Sequence, residues 1–292
     1  MSTLWLPLTL ICAFSLATSD ALTKKALSAH NEYLILWLRL LLTLPFLLVP
    51  LLFIPVPPLG QDFFHASLIA LPLEAAATFL YIRALKISPL SLTLPFLALT
   101  PVFLLVIPFL LLGEKISPAG GLGILLVASG AYLLHLGEGR KGILEPFRAI
   151  GKERGSLYMI LVAVLYSVTA TLGKKAISAS SPLFFAACYF PALVLILTPA
   201  AICGAGRNLQ KTINKGILRA ILPAALCYAV MIVTHMLAVS LAPVAYMISV
   251  KRLSLLIGVF YGHLLFREKG LGERALGTVT MILGGTLIAM SG

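Results

Sequence analysis

Ten apolar runs of at least 19 residues follow one another along this 292-residue chain, separated by short turns that carry proline, glycine and charge. Each run is long enough to cross a hydrocarbon core of roughly 30 Å as a helix. A segment in lipid must satisfy its own backbone N–H and C=O groups, so runs of this length are helical. The spans predicted are 3–26, 33–54, 63–85, 90–112, 117–136, 156–178, 182–205, 216–240, 243–265 and 272–291. The first run has the length of a span and no basic leader, so it is read as part of the fold rather than as a signal peptide.

Composition excludes a soluble alternative. Hydrophobic residues make up 60% of the chain and charged ones 11%, whereas a water-facing domain carries roughly a quarter charged. The net charge of +12 raises nucleic acid as a partner, but the basic residues lie in short loops and form no basic domain. They are assigned to membrane orientation instead, and no nucleic-acid partner is expected. Cys12, Cys188, Cys203 and Cys227 show no metal-ligand spacing and are read as small buried hydrophobes, so neither a metal nor a cofactor is expected.

The chain repeats itself. Leu22 to Ala29 matches Leu172 to Ala179 at six of eight positions with an offset of 150. After a four-residue insertion the offset is 154, pairing Ala84 with Ala238, Pro89 with Pro243, Glu114-Lys115 with Glu268-Lys269, Gly123 with Gly277 and Gly130 with Gly284. The expected organisation is a first repeat at 1–136, a basic linker at 137–155 and a second repeat at 156–292, with five helices per repeat. An odd number of crossings makes the second repeat enter from the opposite face, so the two are inverted. That architecture places a site at the midplane between halves and suits alternating access.

With these features the chain resembles the drug/metabolite transporter superfamily, in its ten-helix EamA-type branch, over essentially all 292 residues. The residues that carry the resemblance are Arg39 in the second span, Pro101 in LALTPVF, and the turn LLGEKISPAGGLGILLVASG around Glu114. The second-half counterpart LLFREKGLGERALGTVTMILGG around Glu268 carries it too. The seven-spaced glycines Gly123/Gly130 and Gly277/Gly284 are similar to the pair with which small multidrug resistance proteins dimerise. Small residues at this spacing let helices approach closely in lipid, so the fifth and tenth spans are expected to pack together.

Five charges fall within spans: Asp20, Arg39, Glu74, Lys251 and Arg252. Each costs roughly 2.5 to 3.5 kcal/mol at a helix centre and needs a partner or a purpose. Asp20 lies four residues before Lys24 and at a depth similar to Arg39, which suits a structural ion pair. Glu74 sits about 16 Å from either end of its span. It shares a polar stripe with Ser67, Thr78 and Tyr81, and the repeat pairs Glu74 with Tyr228 and Tyr81 with His235. Lys251-Arg252 lies about 12 Å past Pro243, on a face with Ser254, and the 100° step between neighbours turns one of the two toward a cavity and the other toward a neighbouring helix. A basic pair here is similar to the phosphate-holding pair of triose-phosphate translocators. The candidate substrate residues are therefore Glu74, Thr78, Tyr81, Tyr228, His235, Lys251, Arg252 and Ser254. Glu74 neutralises one of the two cations, so one positive charge remains for a carboxylate or phosphate of the substrate. The competing account is a Glu74–Lys251/Arg252 cluster that only staples helices together.

The function expected is secondary transport of a small metabolite, with an anionic one favoured. The alternative is a proton-coupled exporter of amino acids or drugs that uses Glu74. Protons or a counter-transported anion are the coupling partners considered, and a monomer is expected, with an oligomer as the alternative. A channel or scramblase would also expose a polar path but needs no inverted repeats meeting at a closed site. A lipid enzyme needs a catalytic constellation, and the five histidines show neither metal spacing nor a paired nucleophile. Sixteen of the 22 lysines and arginines lie on the face opposite the termini. The positive-inside rule then puts both termini outside a cell membrane, against the usual orientation of ten-helix relatives.

Overall fold

The computed structural model describes residues 3–27, 31–87, 96–135, 154–205, 213, 215–266 and 274–291. Most of the 137–155 linker, and Glu268 with its turn, lie outside them. The described residues form helices and no strand: α1 (Trp5–Leu27), α2 (Glu32–Leu48), α3 (Gln61–Ile87), α4 (Thr100–Phe103), α5 (Ile107–Leu112), α6 (Pro118–His135), α7 (Arg154–Ser178), α8 (Pro182–Ala205), α9 (Lys215–Leu241), α10 (Val244–Lys251), α11 (Ser254–Phe266) and α12 (Ala275–Ser291). Seven spans are long and apolar enough to cross a membrane, and the shorter apolar stretches Thr100–Leu112, Pro118–Leu134 and Ala275–Ser291 complete the ten. The protein is thus an all-α polytopic membrane protein of ten transmembrane segments in two inverted five-helix repeats.

Two segments expected as unbroken helices are interrupted, and the repeat explains where. Helix breaks fall at Ala98–Leu99 and at Arg252–Leu253, which are equivalent positions at the offset of 154. In the first repeat Pro101 has no N–H for the Leu97 carbonyl, and the Thr100 hydroxyl donates to that carbonyl at 2.8 Å instead. In the second repeat the bond pattern tightens, Leu255 N–H reaching back only to the Arg252 carbonyl at 2.9 Å. Pro108 adds a further break between α4 and α5, where Leu105 and Val106 make three-residue bonds to Val102 and Phe103. Gly113 then ends α5 in the left-handed conformation at φ 69°, which a residue without Cβ adopts freely.

Packing obeys the same exchange. α1 packs on α9 as α3 packs on α7, and α1 meets α10 and α11 as α7 meets α4 and α5. α6 against α12 and α2 against α8 are pairs of equivalents. At the α6–α12 seam, a Cβ added at Gly284 would lie 2.6 Å from the Gly123 carbonyl oxygen, and one at Gly130 would lie 2.7 Å from that of Gly277. Only hydrogen fits there, so the two backbones touch and dispersion replaces the hydrophobic drive that lipid does not supply. Polar links cross between helices elsewhere: Ser19 Oγ donates to the Ala224 carbonyl at 2.8 Å and Trp37 Nε1 to Thr198 Oγ1 at 3.0 Å. Cys12 is buried, whereas Cys188 and Cys203 lie on the outer surface. The expectation that all four cysteines are buried is corrected by the solvent, since lipid accepts a small apolar side chain as readily as a core does.

Candidate functional site

A cavity of about 290 Å³ lies between the repeats, with Glu74, Tyr228, His235, Lys251, Arg252 and Ser254 among its lining residues. Three pairs of repeat equivalents meet in its wall: Leu16 with Tyr166, Glu74 with Tyr228, and Thr100 with Ser254. Where equivalents face each other the pseudo-two-fold axis runs, so this part of the wall is the midplane. From there the lining continues only along the second repeat, through Gly173, Lys174 and Ile177 of α7 and Met236 and Val239 of α9. These are the helix ends on the face that carries both termini. The cavity therefore reaches from mid-membrane toward that one face.

The helix break decides how the basic pair is presented. The 100° separation expected of neighbours holds inside a helix, but α10 ends at Lys251 and α11 begins at Ser254. Both Lys251 and Arg252 consequently line the cavity. Lys251 Nζ lies 3.3 Å from His235 Nδ1. Arg252 Nε is buried with no hydrogen-bond partner. No ion pair joins Glu74 to either cation; Thr169 of the facing helix α7 lines the same cavity. Unpaired acid and base thus share one cavity, each short of the partner that burial in lipid demands. Phe185 and Tyr189, ring centroids 4.9 Å apart and stacked, form an aromatic wall beside them.

Thr78 and Tyr81 lie on α3 with Glu74 but outside this lining. Asp20 and Arg39 sit apart, with Nη1 of Arg39 2.8 Å from Asp20 Oδ1 and 3.2 Å from Thr23 Oγ1. The Arg39 guanidinium also lies over the Tyr228 ring at 4.2 Å. Gly258, four residues beyond Ser254 on α11, is exposed and lies outside the lining.

Sequence reasoning passed over the aromatic wall and a third charge cluster. Lys174 Nζ pairs with Glu114 Oε1 at 2.5 Å and donates to the Ala242 carbonyl at 2.6 Å. The other carboxylate oxygen of Glu114 accepts the Val244 N–H at 2.9 Å, capping the first turn of α10, whose Pro243 cap has no side chain to do so. One signal was available for the wall: the offset of 150 carries Arg39 onto Tyr189. Among the described residues no group of three or more His, Cys, Asp or Glu is placed to hold a metal ion.

An inverted-repeat helical bundle with discontinuous helices and a polar cavity at their crossing defines a membrane transporter of small molecules. The chain belongs to the EamA-like transporter family, whose model matches residues 3–136 and again 153–290. A crystal structure of a protein superposes with a TM-score of 0.72 at 16% identity, covering 96% of this chain and 96% of its own; that likeness is one of fold. No curated protein sequence matches the chain.

Proposed function

We propose that this transporter is a secondary carrier that moves a small anionic metabolite, bearing a carboxylate or a phosphate, across the cell membrane by alternating access. The observation that carries the reading is the pair Lys251 and Arg252, which line the cavity at a helix break with no carboxylate partner, Arg252 Nε lacking any partner. A cation held in lipid without an anion is disfavoured by several kcal/mol, and an anionic ligand supplies what the fold withholds. Arg suits a bidentate carboxylate or phosphate and Lys a point contact to the same group. Thr100 and Ser254 add hydroxyls at the two helix breaks, and Phe185 and Tyr189 receive an apolar portion. The carrier is proposed to work as a monomer, since one chain holds both halves, with both termini outside.

Purified protein screened by thermal shift against organic acids, amino acids and sugar phosphates identifies the ligand, because a ligand that binds only the folded state raises its apparent stability. Lys251→Gln and Arg252→Gln, tested singly, should each weaken affinity for it by at least about tenfold, a loss near 1.4 kcal/mol. Transport retained with normal substrate affinity in both variants sinks the reading.

A second reading rests on Glu74, which lines the same cavity without an ion pair and could carry a coupling proton. It predicts that uptake into reconstituted vesicles follows an imposed pH gradient in the wild type and loses that response in Glu74→Gln. A wild type indifferent to the gradient leaves exchange of the anion as the coupling.

A further inference from the structure

The open cavity accounts for only half of a transport path, and the internal repeat says where the other half lies. Applying the offsets of 150 and 154 to the one-sided part of the lining carries Ala170, Gly173 and Tyr189 onto Asp20, Thr23 and Arg39, and carries Ile232 and His235 onto Thr78 and Tyr81. These five equivalents converge on the opposite face, that of the basic linker, because α1 and α3 end there and α2 begins there.

Toward that face the described residues close on one another. Arg39 bonds Asp20 at 2.8 Å and Thr23 at 3.2 Å, and caps the Tyr228 ring at 4.2 Å. Below this knot Leu34, Ile35 and Leu38 of α2 pack with Ile217 and Ile221 of α9 in a core of their own. A further core joins Ala84 of α3 to Phe96, Met159 and Val162. Ile35 is the equivalent of Phe185, and both are buried, but Phe185 borders the open cavity whereas Ile35 is packed in the core between α2 and α9. Two copies of one unit held in two different arrangements are what an exchange between them requires.

We propose that Asp20, Thr23, Arg39, Thr78 and Tyr81 line a second, closed half of the pathway, and that the Asp20–Arg39 pair, braced on Tyr228, is the lock that keeps it closed. The proposal rests on the carrier reading above and adds the residues of its far side. When the lock parts, Arg39 is released from Asp20 and offers its guanidinium to the same anionic group that Lys251 and Arg252 hold at the midplane. It thereby gives the substrate a cation on the exit side, where the open side has the Tyr189 ring. Thr78 and Tyr81, outside the present lining, then stand where Ile232 and His235 stand now.

The test reads both halves at once. Leu40 is the equivalent of Phe190, which lines the open cavity, and belongs to no part of the ion pair. Leu40→Cys and Phe190→Cys are made separately and reacted with a charged methanethiosulfonate in lipid nanodiscs, where both faces meet the reagent. Modification is read by peptide mass spectrometry, so that Cys12, Cys188, Cys203 and Cys227 do not contribute. With the lock intact, Phe190→Cys should react at least about tenfold faster than Leu40→Cys. Adding Asp20→Asn removes the ion pair, whose Asp20 side chain is 58% exposed, while Arg39 keeps the Tyr228 ring, a change worth up to about a fivefold shift in population. Leu40→Cys should then speed up by about that factor while Phe190→Cys slows; Arg39→Gln, which breaks the lock from the other partner, should do the same. Equal rates with the lock intact, or rates that neither variant changes, overturn the proposal. If Leu40→Cys speeds up while Phe190→Cys stays fast, the lock stands and the alternating carrier falls, because both halves are then open together.

Discussion

Glu114 shows how one carboxylate can serve two elements. Its two oxygens hold Lys174 of α7 and the first N–H of α10, and both side chains of the ion pair are at least 84% buried, with exposures of 13% and 16%. Breaking a buried pair from one side leaves the other charge stranded, at a cost of about 3 kcal/mol or more. Glu114→Gln keeps an acceptor for Val244 but loses the anion, so a clear fall in Tm is expected. The double variant Glu114→Gln with Lys174→Met should recover part of that fall, as thermal unfolding followed by size-exclusion would record. The residue types involved were legible in the sequence, since both Glu114 and Lys174 sit in repeated motifs. Their contact was not, because it joins positions 60 residues apart through a turn that only the folded path of Gly113 brings round. Lys251 and Arg252 teach the converse: sequence marked them as buried cations, but the 100° step of a helix turned one to a cavity and the other to a neighbouring helix, whereas beside the break at Arg252–Leu253 both line one cavity.

At the scale of elements, the seam between α6 and α12 depends on glycine for contact rather than for flexibility. A Cβ at Gly284 meets the Gly123 carbonyl oxygen at 2.6 Å and the Val127 nitrogen at 2.7 Å, both backbone atoms that cannot step aside. Gly284→Ala should therefore destabilise the protein by about 1 to 3 kcal/mol through forced separation of the helices. Gly121→Ala, on α6 with nothing within 4 Å of the added carbon, should be neutral or slightly stabilising; parallel thermal melts compare them. The helices themselves follow from apolar length, which is why their number and order could be read from the chain. Their interruptions follow from subtler causes. Proline marks the break before α4, whereas the break at Arg252–Leu253 has no proline and is betrayed only by its equivalence to Ala98–Leu99.

For the whole molecule, inversion makes orientation a single binary choice, because fixing one terminus fixes every loop. The proposed orientation rests on sixteen of the 22 basic residues, which lie on the face opposite the termini and by the positive-inside rule belong in the cytoplasm. On that proposal the cavity opens to the outside. A reporter active only in the cytoplasm, fused after Gly292, should stay dark, and a bright signal would reverse the assignment.

The amino-acid sequence alone determined the membrane as solvent, the count of ten spans, their inverted pairing and the charges within them. Each of these depends on local composition or on self-similarity along the chain, which require no knowledge of which helices touch. Only the tertiary structure decided that the cavity is lined mainly by the second repeat, that Glu74 stands without an ion pair beside Lys251 and Arg252, and that Arg39 bonds Asp20 and covers the Tyr228 ring. The two repeats share one order of helices, yet the second supplies most of the cavity wall. Contacts far apart in sequence, which self-similarity along the chain does not encode, decide that difference.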